Sequence, residues 1–177
     1  RDGNGKVVQG IWLDPARRDL TGVVKSRTER IFDPEAYSPP LSFVVDLART
    51  GMPMGVKLGP GMPHEAIARP EDIRSEANPH PRVTAQWVEH EGSLVELVLW
   101  FNALAQEGVA RTVTVLRQEA TGQAEDKGLR IHKTTLSSPY SAEQVTPVDE
   151  KQTRFPSPGE YLYEPSGAIV RAHLVQE

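Results

Sequence analysis

The chain has 177 residues, 38% hydrophobic and 25% charged, with a formal net charge of -4 at pH 7. That length suits one domain, or one domain with an attached piece, in an ordinary globular protein. No apolar stretch approaches the roughly 18 residues needed to cross a bilayer. The absence of cysteine excludes disulfides and thiolate metal sites and fits a reducing cytoplasm, and the acidic balance gives no global case for nucleic-acid binding.

Residues 1–6 are polar, with neither an initiator Met nor the pattern of a signal peptide, and read as a cut from a longer chain. Residues 7–13 are an apolar run, the first predicted strand, stopping on Asp14-Pro15. Ligands of open α/β sheets collect just outside the carboxyl ends of strands, which makes Asp14 the first candidate for chemistry. Residues 16–32 read as a loop in which Arg17, Arg18, Lys25, Arg27 and Arg30 outnumber Asp19 and Glu29. Asp33-Pro34-Glu35 and Ser38-Pro39 are helix-start devices, and Leu41, Val44, Val45 and Ala48 predict a helix over about 39–50, ended by Gly51. Residues 54–58 predict a second strand ending in the loop Lys57-Leu58-Gly59-Pro60-Gly61. Strand, helix, strand is a right-handed crossover with parallel strands, which sets Asp14 and this loop on one rim.

A short helix is expected near 64–68, then a Pro-rich loop. Residues 83–90 predict a strand, Glu91-Gly92-Ser93 a turn, and residues 94–101 a returning strand with both faces covered. A helix over 94–104 is the rival reading of Leu94, Leu97 and Val98; the short Gly-containing turn favours the hairpin. Residues 111–116 predict another strand, 118–128 a polar loop and 129–136 a weakly alternating strand. The stretch 137–159, with Pro139, Pro147, Pro156 and Pro158, reads as a linker or wrapped extension. Tyr161-Leu162-Tyr163 predicts a short strand. Residues 166–176 predict a helix with Ile169, Val170, His173 and Leu174 on one side and little left to cover it. Trp12, Trp87 and Trp100 are expected in the core.

Five blocks, WLDPARR, YSPPLSFVVDLA, GVKLGPGMPHEAI, QWVEHEGSLVELVLWF and YLYEPSGAIVRAHLV, together resemble the bacterial class I S-adenosylmethionine-dependent methyltransferases that carry a THUMP-like domain at their C-terminus. The resemblance covers about residues 7–117 and 160–177. It implies an α/β fold: the second half of a Rossmann-like methyltransferase sheet, with parallel strands closed by an antiparallel pair over 84–101, and a C-terminal extension. The implied organisation is a methyltransferase half over 1–117, a loop or linker over 118–159 and the start of a THUMP-like domain over 160–177. The implied cofactor, S-adenosyl-L-methionine, belongs to the parent protein, because the Gly-rich turn that holds its methionine part has no counterpart in this sequence. Gly59-Pro60-Gly61 follows the wrong strand to serve. The 177 residues are therefore expected to be inactive alone and not to bind the cofactor tightly.

The resemblance implies that Asp14, with the backbone beside Pro15, accepts a hydrogen bond from a target amine and aims its lone pair at the methyl group, a matter of alignment. In amine methyltransferases of nucleic acid an Asp-Pro-Pro-aromatic pattern is common, whose aromatic stacks on a flipped base; Ala16 and Arg17 stand at those places here. Ala16, Arg17, Arg18, Pro39 and Pro40 are the candidate substrate-binding residues. Arg17 and Arg18 either meet RNA phosphates or pair with Asp19 or Glu29. Lys57, Gly59, Pro60 and Gly61 form the candidate pocket loop: an ion pair is expected for Lys57, and backbone geometry for the two glycines. The five histidines have no metal-ligand spacing, and no metal is expected.

RNA as the partner of the parent protein comes only from the association of THUMP domains with RNA. The second reading is a non-catalytic interaction module that makes a homodimer through an exposed sheet edge. A nuclease-like use of Asp14 and Lys57 with a divalent ion ranks last, for want of a second carboxylate.

Overall fold

The computed structural model describes residues 9–16, 33–120, 129–144, 157, 159–161 and 163–175. Its strands are Ile11–Leu13 (β1), Met54–Leu58 (β2), Val83–His90 (β3), Ser93–Phe101 (β4), Arg111–Ala120 (β5) and Leu129–Ser138 (β6). The helices are Leu41–Ala48 (α1) and Gly167–Arg171 (α2), with short 3-10 turns between elements. All six strands form one mixed sheet in the order β1-β2-β4-β3-β5-β6. β1 pairs parallel with β2, and β3 parallel with β5, while β4 and β6 run antiparallel to their neighbours. The α/β class and the parallel β1-α1-β2 crossover are therefore as expected.

Alternation assigns the two faces. Met54, Val56 and Leu58 of β2 align with Phe101, Leu99 and Leu97 of β4, and these with Val83, Ala85 and Trp87 of β3. This face is the core, covered by α1, the turn Pro70–Ile73 and α2. α1 buries Leu41, Val44 and Ala48, one stripe at helical spacing. Pro40 at its N-cap offers no side-chain acceptor, and the Glu35 carboxylate takes the Ser42 N–H instead at 2.9 Å. At the other end, buried Asn78 and Asn102 both donate to Ala48 O, at 3.3 and 2.9 Å, so the helix terminus enters the core with its carbonyl paired.

The hairpin reading of 83–101 holds against the helix. Glu91 (φ 49°) and Gly92 (φ 78°) are both left-handed, the backbone that a two-residue turn demands, and Ser93 is already in the strand. The expectation that both faces of β4 are covered fails at its start, where Val95 is exposed.

Other differences follow from pairing. β5 and β6 are in register for ten residue pairs, from Arg111–Ser138 to Ala120–Leu129: the strand expected over 129–136 is present, and β5 runs on through 118–120, where a loop was expected. Tyr161 and Tyr163 are not in a strand but exposed, their rings tilted at 49° to each other with centroids 6.4 Å apart; aromatic residues make a strand only where an edge receives them. Leu162 lies outside the described residues. The last helix is shorter than predicted because His173 turns left-handed at φ 54°. Its buried side is Ala168, Ala172 and Leu174, all in the single core cluster, while Val170 faces outward.

Candidate functional site

The opposite face of the sheet begins at Trp12, which lies across Gly55 of β2. A Cβ on Gly55 would stand 2.6 Å from the Trp12 ring and 2.8 Å from that of Trp100. The two indoles meet across this gap at 5.7 Å. Trp100 donates to Gln86 Oε1 at 2.7 Å, and Gln86 to Thr114 Oγ1 at 2.8 Å. Only Trp87 of the three tryptophans is fully in the core; Trp12 is 52% exposed, because no helix of the described residues covers this face.

One step along β1, on this same face, Asp14 stands beside Lys57. Leu13 is aligned with Val56, so the next residues are side by side. Lys57 Nζ donates to Asp14 Oδ2 at 2.8 Å, the ion pair expected for Lys57, with Asp14 itself as its partner. The carboxylate stays open to solvent, and its second oxygen is available to a donor. Pro15 is buried. Ala16 and Ser38 exchange both backbone hydrogen bonds, at 2.9 and 3.0 Å. That bridge brings Pro39 and Pro40, in the turn before α1, up to the chain leaving β1. Asp14, Pro15, Ala16, Pro39, Pro40 and Lys57 are thus one neighbourhood at the carboxyl ends of two parallel strands. Arg17 and Arg18 lie outside the described residues.

The loop after Lys57 differs in its reason. Neither Gly59 nor Gly61 has a positive φ, and a Cβ on Gly61 would meet nothing nearer than Arg171 Nη2 at 3.9 Å. Backbone freedom is therefore not what fixes this turn. It closes through Met62 N–H to Gly59 O at 3.1 Å and is held by Arg171, which donates to Pro60 O at 3.1 Å and Gly61 O at 2.6 Å.

A cleft of about 60 Å³ lies on the core face, lined by Val83, Ala85, Ile67, Ala68, Arg111 and Ser141 among others. Ligand pockets of ordinary size are roughly 300–1,000 Å³. This cleft is on the wrong face for Asp14 and too small for S-adenosylmethionine. Nor does any Gly-rich strand-to-helix turn stand among the described residues beside β1. The described residues therefore do not by themselves fit that cofactor. Among the described residues no group of three or more His, Asp or Glu could hold a metal ion. No helix among them is long and apolar enough to cross a membrane.

Sequence reading missed three polar groups that the structure singles out. Glu89 is 1% exposed and meets Arg117 at 2.6 Å and the Ala168 N–H at 3.2 Å. Burial pushes its carboxyl up, but hydrogen bonds from Arg117, Ala168 and Ser166 outweigh that and hold it below the ordinary range. Arg111, 3% exposed, donates to three backbone carbonyls, those of Tyr140, Ala172 and His173. His64 sits between Trp87 and His173. A signal existed for the first two: carried to its end, the alternation Val83, Ala85, Trp87 turns Glu89 inward, and Val113 does the same for Arg111. Comparison of the chain with protein-family models, with curated proteins and with solved structures finds no match.

Proposed function

We propose that this chain supplies the amine-orienting rim of an S-adenosylmethionine-dependent methyltransferase that acts on RNA. The observation that carries the reading is Asp14: a solvent-open carboxylate at the carboxyl end of a parallel strand, anchored through one oxygen by Lys57 at 2.8 Å and flanked by the Ala16–Ser38 bridge. Such a carboxylate accepts an N–H from a neutral amine and leaves the nitrogen lone pair pointing outward. A fixed acceptor contributes to rate through alignment, since productive attack needs reacting atoms about 3–3.5 Å apart. Further support comes from the hairpin, whose second strand inserts antiparallel between β2 and β3, in the segment where the resemblance expects the closing antiparallel pair. The RNA substrate rests on that resemblance alone.

The test is methyl transfer from S-adenosylmethionine to RNA by the full translation product of the reading frame that encodes these residues. Asp14→Asn is expected to lower kcat about 100-fold with cofactor affinity unchanged, the scale of a lost alignment. Calorimetry on the 177-residue polypeptide is expected to show no micromolar binding of the cofactor. Full activity of Asp14→Asn, or tight cofactor binding by this polypeptide, would overturn the reading. A second reading, a module that dimerises through the edge of β1, is favoured by one feature: among the described residues β1 pairs only with β2 and carries the exposed Trp12. A monomeric mass in sedimentation would dismiss it.

A further inference from the structure

α2 has five residues, far fewer than the ~12–15 at which a helix holds itself in water. It exists because both ends are gripped. At its start, Ser166 Oγ accepts the Ile169 N–H at 3.4 Å and Glu89 accepts that of Ala168. At its end, Arg111 Nη1 donates to Ala172 O at 2.6 Å and His173 O at 2.8 Å. From its last turn Arg171 reaches across to Pro60 O and Gly61 O. His64 completes the fixture: its Nε2 is 2.7 Å from Arg171 O. A carbonyl only accepts, so Nε2 carries the hydrogen.

We propose that residues 166–174 are a strap that holds the loop 59–61 against the sheet, and that protonation of His64 releases it. Among the described residues, the groups facing His64 are one-sided in charge. Arg111 comes from β5, and Arg171 and His173 from the strap, the His173 ring stacking at 4.0 Å. From β3 it meets the uncharged Trp87 at 5.3 Å, and the nearest carboxylate on that strand, Glu89, is occupied by Arg117 and Ala168. Glu65, on its own turn, is exposed. An imidazolium here would add a positive charge beside two guanidiniums, with no carboxylate of the described residues turned toward it.

The direction of the pH effect follows. Burial, with the charges of His173, Arg171 and Arg111, outweighs the Arg171 carbonyl and lowers His64 below its ordinary 6.5. Once released, the ring titrates at the ordinary value. Docking is therefore at full strength above 6.5 and weakens as pH falls through it. One proton taken up on release raises the opening constant by up to about tenfold per pH unit.

This inference goes beyond methyl transfer and is read without a methyl donor, so either can fail while the other stands. Hydrogen exchange on the 177-residue polypeptide, corrected for intrinsic rates, is compared at about pH 7.5 and about pH 5.5, on either side of the ordinary histidine range. Amides of 168–174 and of Met62 are expected to lose about tenfold protection at the lower pH. His64→Gln keeps a donor for Arg171 O without the titration, and its protection is expected to be equal at both pH values. Arg171→Met is expected to free Met62 at both. Equal protection of the wild type at the two pH values, an undiminished pH dependence in His64→Gln, or unchanged Met62 protection in Arg171→Met would overturn the proposal.

Discussion

At the scale of single residues, Gly55 is where the chain had no other choice. In a strand a glycine normally weakens packing; here the rings of Trp12 and Trp100 occupy the volume a Cβ would need, at 2.6–2.8 Å. Gly55→Ala is expected to push both indoles aside and to destabilise by about 1–3 kcal/mol, the scale of overpacking. Urea titration followed by tryptophan fluorescence checks both the loss and the changed ring environment. Sequence inspection sent Trp12 to the core because most tryptophans are largely buried. The exposed edge beside Asp14 was legible, but not that the described residues leave this face of β1 uncovered. Asp14 and Lys57 were readable as neighbours because a parallel crossover fixes which rim both occupy. That the two pair with each other needed the Leu13–Val56 register.

At the scale of elements, most strands and the position of the terminal helix were readable, and what holds that helix in place was not. β2 and β3 lie where alternation and Gly/Pro boundaries put them, at 54–58 and 83–90, because a strand buried on one or both faces writes its burial into local sequence. α2 shows its helical spacing and its Ser166 cap locally, but not its grip on the sheet. Its partners are Glu89 and Arg111, 79 and 61 positions away in the chain from Ala168 and Ala172, and no window of a few residues contains them. Arg111→Met fills similar space but strands three buried or half-buried carbonyls without a donor. It is expected to cost roughly 2–4 kcal/mol and to undock α2. Equilibrium unfolding measures the first and protease cleavage near residue 170 the second. A loss within about 0.5 kcal/mol, the range of inert surface changes, would remove Arg111 from this role.

At the scale of the whole molecule, acid acts through two groups of the described residues, His64 and Glu89, in the same direction. His64 is lowered from 6.5 and Glu89 from 4.5, each by its folded surroundings. In both cases the unfolded chain binds the proton more readily, so stability rises with pH across each window. The expected curve is flat above about 6.5, falls as His64 protonates, and falls again below 4.5 as Glu89 loses its charge. Thermal midpoints measured from neutral to acid pH check it, and His64→Gln is expected to remove the first step alone. The two sheet edges also differ. β6 carries exposed Arg130 and Lys133, charges that discourage edge pairing, whereas β1 presents Ile11, Trp12 and Leu13 with none.

By itself the sequence determined the α/β class, the crossover joining β1 to β2, the hairpin and the rim on which Asp14 stands, because periodicity, turn residues and chirality act within a few dozen residues. Tertiary structure alone decided that Asp14 binds Lys57, that β6 continues the sheet, and that Arg171 rather than glycine freedom shapes the loop after β2. It also decided that a five-residue helix is held by charges buried beneath it. Those contacts join positions far apart in the chain, and their strength depends on burial, which exists only once the sheet and its covering layer have come together.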